Sequence, residues 1–225
     1  MAKLLHIDTA TEICSVAVSN NDQLISNIDL DEGYSHSEKL LPTIQKLLAD
    51  AKLNLHNIDC FSLAIGPGSY TGLRIGTATV KGLAYALNKP AVTVNSLRAL
   101  YFHPEAQKLK GTVIPMIDAR RMEVYTEFYN ANGQVQKPVH SHILNENDFS
   151  DFPRPVNLIG NAAQKAIEVF QNRAEITPRP HIKSSARGLI SPAYELFAAK
   201  KFENTAYFEP FYLKDFIPGK PKKKV

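Results

Sequence analysis

Apolar residues cluster in two short predicted strands, 3–9 (KLLHIDT) and 14–19 (CSVAVS), around a turn at 10–13, and a moderate alternation of apolar and polar positions predicts a third strand over 23–30. The period then lengthens from two residues to about 3.6. Leu40, Leu41, Ile44, Leu47, Leu48 and Ala51 share one face of a helix over 37–51 that Ser37 can cap. Pro42 lies inside that pattern and removes one backbone hydrogen bond, so a kink is expected between Glu38 and Pro42. CFSLAI at 60–65 reads as a buried strand, 71–88 as a proline-free helix and 91–94 as another strand. Ser96 is the expected cap of a short helix ending near Phe102.

The second half repeats this order in reduced form. Strands are predicted at 112–118 and 122–129, separated by 119–121, and a turn at Asn132 and Gly133 leads to a third strand over 139–144. Residues 145–155 are polar with two prolines and should loop outward, ahead of a strand at 156–160. Asn161 is the expected cap of a helix to 171. Residues 174–188 read as irregular and basic, with Arg179, His181, Lys183 and Arg187. Ser191 and Pro192 open a last helix to about 202, proline being suited to a first turn. An aromatic segment follows at 208–216. These patterns divide the chain into an N-terminal unit (1–104), a reduced second unit (105–190), a closing helix and segment (191–217) and a basic tail (218–225) expected to be disordered.

Between the strand at 60–65 and the helix at 71–88 stands GPGSYTGLRIG, residues 66–76. Gly66, Pro67 and Gly68 end the strand, and Ser69 or Thr71 can cap the helix, so backbone N–H groups at this turn can meet an anion or another chain. No lysine-serine or lysine-threonine pair follows, which excludes a Walker loop; Gly66, Gly68 and Gly72 are one residue too widely spaced for the dinucleotide fingerprint. A tight strand-to-helix connection is the simpler reading. At about 100° per residue, Gly72, Gly76, Thr79, Leu83 and Ala86 share a face, with Arg74 and Lys81 opposite and expected in solvent. Each interior glycine costs about 1 kcal/mol relative to alanine, so Gly76 and Gly82 imply close packing that offsets the cost. Either the chain's own sheet or a partner can supply it.

GPGSYTGLRIG resembles the signature of the bacterial TsaB (YeaZ) family, carried here by Gly66, Pro67, Gly68, Ser69, Thr71, Gly72, Arg74 and Gly76. LLHIDTATEICSVAV at 4–18, HSEKLLPTI at 36–44, IDARRMEVY at 117–125, LIGNAA at 158–163 and FYLKD at 211–215 are similar to the family pattern in the same order. The resemblance implies an α/β protein of two ribonuclease H-like subdomains, the second reduced, in the ASKHA fold of acetate and sugar kinases, heat-shock chaperones and actin. The strand and helix order permits that fold. It implies a cytoplasmic, non-catalytic partner subunit that pairs with TsaD. With the ATPase TsaE, that complex uses ATP and magnesium and transfers threonylcarbamoyl from its adenylate to the tRNA adenosine beside the anticodon. The chain itself is then expected to carry no catalytic residue, cofactor or metal, and to meet tRNA only through the complex; a homodimer in isolation stays open. The expected partner surface is Leu41 of the first helix with Gly72, Leu73, Gly76, Thr79, Val80, Leu83 and Ala86 of the second.

The alternative is a nucleotide-dependent enzyme of the same fold, kinase-like or metallopeptidase-like. Asp8-Thr9 stands where a kinase of this fold holds magnesium-bound water, beside glycines through which the backbone reaches phosphate. Ala10, Thr11 and Glu12 follow, without glycine, and Glu12 would repel phosphate, which favours a turn with a satisfied carboxylate and leaves weak nucleotide binding open. The seven histidines include no pair at i, i+3 or i, i+4. His140 and His142 would share a strand face without an identifiable third ligand, and His36 reads as part of a helix start. Asp118, Arg120 and Glu123 are expected to cluster at a turn as an ion pair or polar network. No nucleophile-and-base set can be assembled from spacing.

Composition adds little. Hydrophobic residues make up 44% and charged residues 21%, ordinary for a globular protein, and no apolar run is long enough to span a membrane. A strand starting at Lys3 is unlike a signal peptide. Cys14 and Cys60 fall in apolar strands, expected as buried thiols in a reducing compartment. The net charge is +4, and Lys220, Lys222, Lys223 and Lys224 match it, so the body is near neutral. That tail reads as a solvated charge run.

Overall fold

The computed structural model describes residues 1–33 and 35–214. Strands β1 (Lys3–Asp8), β2 (Cys14–Asn20) and β3 (Gln23–Leu30) form an antiparallel meander, and helix α1 (His36–Asp50) follows. β4 (Cys60–Ala64), α2 (Tyr70–Leu87) and β5 (Ala91–Val94) add two parallel strands, giving a sheet in the order β3-β2-β1-β4-β5. After the short helix α3 (Ser96–Tyr101), β6 (Thr112–Asp118), β7 (Glu123–Tyr129) and β8 (Val135–Ile143) form a second antiparallel meander. β9 (Val156–Ile159), α4 (Ala163–Val169) and β10 (Ile176–Arg179) complete a sheet ordered β10-β9-β6-β7-β8. Its connectivity repeats that of the first sheet strand for strand. The reduction of the second half is in its helices: among the described residues no helix joins β8 to β9, where α1 stands in the first half.

Burial along β1, β2 and β4 is nearly continuous, as strands with both faces covered require, and successive residues point to opposite faces. Leu5, Ile7, Val16, Val18, Phe61 and Leu63 point into a core with Leu40, Ile44 and Leu47 of α1 and Val80 and Ala84 of α2. Their neighbours Leu4, Ala17, Cys60 and Ala64 point the other way, onto Ala186, Leu189 and Ala193. The chain therefore returns from the second sheet to cover the first, through a 3-10 turn at Ala186–Leu189 and helix α5 (Ile190–Ala198). Leu97 and Leu100 of α3 pack with Val113, Ile117 and Ile159, so α3 wedges between the sheets as a joint. His6, on the α5 side, is held by Ser62 at 2.6 Å and Ser19 at 2.8 Å, and burial pushes its pKa down to about 3, which makes it a neutral structural histidine. Cys14 and Cys60 are buried free thiols, and burial raises both.

Several expectations are corrected in detail. Residues 174–188 are not wholly irregular, since 176–179 form β10; an edge strand of four residues containing Pro178 carries no readable alternation. α1 starts at His36, ahead of Ser37, and Ser35, at the flanking N-cap position, makes no side-chain cap; the helix continues through Pro42. Asn95 rather than Ser96 caps α3, accepting from the Leu97 and Arg98 amides. Asn161 caps no helix but bridges the two units, accepting from the Asp118 N–H and donating to Glu12. β8 begins at Val135, and α5 ends at Ala198, short of 202. The tail at 218–225 lies outside the described residues. No helix among those described is long and apolar enough to cross a membrane.

Candidate functional site

The signature loop is built from close backbone approaches. Ser69 caps α2, its hydroxyl accepting from the Gly72 N–H, while the Ser69 N–H donates to the Ala10 carbonyl at 2.7 Å. Thr9 Oγ1 donates to the Gly72 carbonyl at 2.8 Å. A Cβ on Gly68 would stand 2.2 Å from the Ala10 oxygen, one on Gly72 2.1 Å from the Thr9 oxygen, and one on Gly76 2.4 Å from Thr9 Oγ1. Gly66, at φ +126°, would place its Cβ 2.3 Å from the Phe211 oxygen. The glycines thus let the first turns of α2 press onto the β1–β2 turn. Of the two readings left open by the sequence, packing on the chain's own sheet holds for this end of the helix.

That packing also occupies the turn where a phosphate loop would stand. Thr9 and Ala10 spend their polar groups on α2, and Glu12 holds Asn161. Asp8 is 1% exposed and accepts from the Ala10 N–H at 2.9 Å. Burial pushes its pKa up to about 6; the Ala10 bond opposes this and the charge of Asp29 adds to it. Folding thus favours the neutral acid, so this group's contribution is fully present below the ordinary value of 3.8 and is lost as pH rises through about 6. Asp8→Asn keeps an oxygen for the Ala10 amide without the charge. Its stability advantage over the wild type should open between pH 4 and 6 and reach about 3 kcal/mol at pH 7, read by urea denaturation across that range.

The expected partner residues divide. Gly72, Leu73, Gly76 and Val80 face the interior and leave the proposed surface, because α2 presents its glycine edge to β1 and β4. Ala86 is exposed, Thr79 and Leu83 are half-buried, and Leu41 on α1 is 53% exposed. Sequence reasoning missed the remainder of the outward face: Ala78, Gly82 and Tyr85, the last 86% exposed. A Cβ on Gly82 would meet nothing within 4 Å, so packing within the chain does not explain that glycine. Arg74, exposed as expected, marks this face four residues before Ala78 and eight before Gly82, the signal that could have found it. Lys81 is not simply solvated, since it donates to the Ala206 and Phe208 carbonyls.

Between the units lies a cleft of about 680 Å³, walled by the Pro67–Thr71 turn on one side and by Asp118, Arg120, Tyr125 and Asn161 on the other, with 211–214 across it. The Asp118–Glu123 turn forms the expected polar network with different cations. Asp118 binds Lys165 at 2.6 Å, and Glu123 pairs with Lys214 and sits below the usual carboxylate range because of that bond. Arg120 and Arg121, both left-handed, make no ion pair among the described residues. His142 holds Asp148 at 2.7 Å, His140 the Pro138 carbonyl, and His36, the first residue of α1, the Thr11 carbonyl. No three His, Cys, Asp or Glu side chains converge as metal ligands among the described residues.

Two sheets of one ribonuclease H-like topology, joined by α3 and facing each other across a cleft, define the ASKHA class. A family model described as "TsaD: tRNA N6-adenosine threonylcarbamoyltransferase" matches residues 32–220. The Bacillus subtilis tRNA threonylcarbamoyladenosine biosynthesis protein TsaB is 31% identical over 163 residues, 70% of each chain. Its Haemophilus influenzae counterpart is 34% identical over 122 residues, which is 54% of this chain but only 51% of that relative. YeaZ from Pseudomonas aeruginosa superposes with a TM-score of 0.77 at 28% identity, over 95% of this chain and 100% of that one. The chain belongs to the TsaB (YeaZ) family.

Proposed function

We propose that this chain is a cytoplasmic, non-catalytic subunit in the biosynthesis of tRNA threonylcarbamoyladenosine, binding and supporting a TsaD partner. The observation that carries this reading is the outer face of α2, where Ala78, Gly82 and Ala86 form a small, uncharged strip beside Tyr85, with Leu41 exposed on α1. α1 and α2 share one side of the first sheet, so helices of a partner can lie against both. Small side chains there permit close approach of backbones, and a large aromatic at the edge supplies contact area. The other expected residues of the outer side, Thr79 and Leu83, border this strip.

ATP and magnesium belong, on this account, to the complex with TsaD and TsaE, and tRNA is met through it. The β1–β2 turn supports that division, because its hydroxyl and carbonyl groups are engaged by α2 and its carboxylate is buried. The chain expressed with the organism's own TsaD should copurify as a heterodimer. Recovery of the two proteins as separate species, with this chain only self-associated, would remove the proposal. Metal-dependent ATP hydrolysis by the isolated chain, lost in Asp8→Ala, would favour the kinase-like alternative.

A further inference from the structure

The carboxy-terminal segment crosses the molecule from one unit to the other, and its attachments weaken along the way. After α5, the Glu203 N–H extends the first sheet by donating to the Ala91 carbonyl at 2.8 Å, and Glu203 accepts from Thr93. Lys81 then holds the Ala206 and Phe208 carbonyls at 3.0 and 3.1 Å. Phe208 is the buried root, 8% exposed, packed in the core that α1 and α2 share with the sheet. Past Pro210 the contacts change character. The Phe211 N–H donates to the Ile65 carbonyl at 2.9 Å, and its own carbonyl lies where any side chain on Gly66 would be. Tyr212, 37% exposed, stacks on Tyr70 at 4.8 Å. Lys214 reaches Glu123 on β7, in the opposite unit.

We propose that residues 209–214 are a latch that fastens the two units across the cleft and releases from the Lys214 end while Phe208 stays seated. The two units are joined through α3 and the 186–189 turn, and across the cleft Asn161 donates to Glu12 and Lys214 pairs with Glu123. A half-exposed ion pair and one ring stack are weak closures beside a buried phenylalanine, so the tip yields first. The arrangement also gives Gly66 a second reason to lack a side chain: the latch lies on its backbone.

The test is amide hydrogen exchange on the full chain, read by mass spectrometry. In Tyr212→Ala/Lys214→Glu, exchange at 68–71 and 119–120, which line the cleft, should rise about tenfold, with the α1 and β1 amides unchanged. Lys214→Glu alone, at an exposed position that cannot unfold the chain, should give a smaller rise at the same amides, and high salt should raise wild-type exchange there too. Unchanged exchange at both cleft segments in either variant would overturn the latch. So would a rise spread evenly over the first sheet, which would make the segment a general brace.

Discussion

Gly72→Ala should destabilise the folded chain by about 3 kcal/mol or more, whereas Gly82→Ala, further along the same helix, should stabilise it by about 1 kcal/mol. The first substitution drives a methyl to within 2.1 Å of the Thr9 carbonyl, so either α2 lifts from the β1–β2 turn or the turn gives way. Lifting would also stretch the Thr9-to-Gly72 and Ser69-to-Ala10 hydrogen bonds that fix the start of the helix. The second meets open space, and alanine is the better helix former where nothing is displaced. Urea denaturation of both variants reads the difference in sign. Equal and small effects would mean that the glycines of the signature loop are not there for close packing.

Gly82→Arg and Leu41→Glu should each weaken pairing with TsaD by a hundredfold or more while leaving the melting temperature of the isolated chain within a few degrees of wild type. Both positions are exposed in the free chain, so neither substitution costs it a core contact. In a helix-to-helix seam, a long side chain at Gly82 must be accommodated by separation and a charge at Leu41 is stripped of water. Gly76→Leu is not a clean probe of the interface, because it collides with Thr9 and Leu63 inside the monomer. Normal pairing by both outer-face variants, in size-exclusion or sedimentation runs, would move the partner surface elsewhere.

β1, β2 and β4 of the first sheet were legible because both of their faces are covered and they are rich in apolar residues between turn residues. The second meander was legible for the same reason, at Ile114, Met116, Val124 and Phe128. β10 was not, since ITPR is too short for a period and contains a proline. The edge of α2 that meets the sheet was not legible. Glycine, alanine and threonine carry almost no hydropathy contrast, so the small stripe could be drawn on the wheel without knowing which edge meets the sheet. Gly72 and Gly76 face inward and Gly82 outward, a division set by tertiary contacts with Thr9, His36 and Leu63. The bridging roles of Asn161 and Lys214 depend on which turns the two units bring together, and no local pattern encodes that.

The most direct measurement of the central claim is threonylcarbamoyl transfer from threonylcarbamoyl-adenylate to tRNA in a purified mixture of TsaD, TsaE and this chain with ATP and magnesium, with each protein omitted in turn. The account predicts that this chain alone is inactive in modification and in ATP hydrolysis, that TsaD and TsaE without it modify tRNA at background level, and that adding it restores modification. Full modification in its absence, or ATP turnover by the chain alone, would contradict the account.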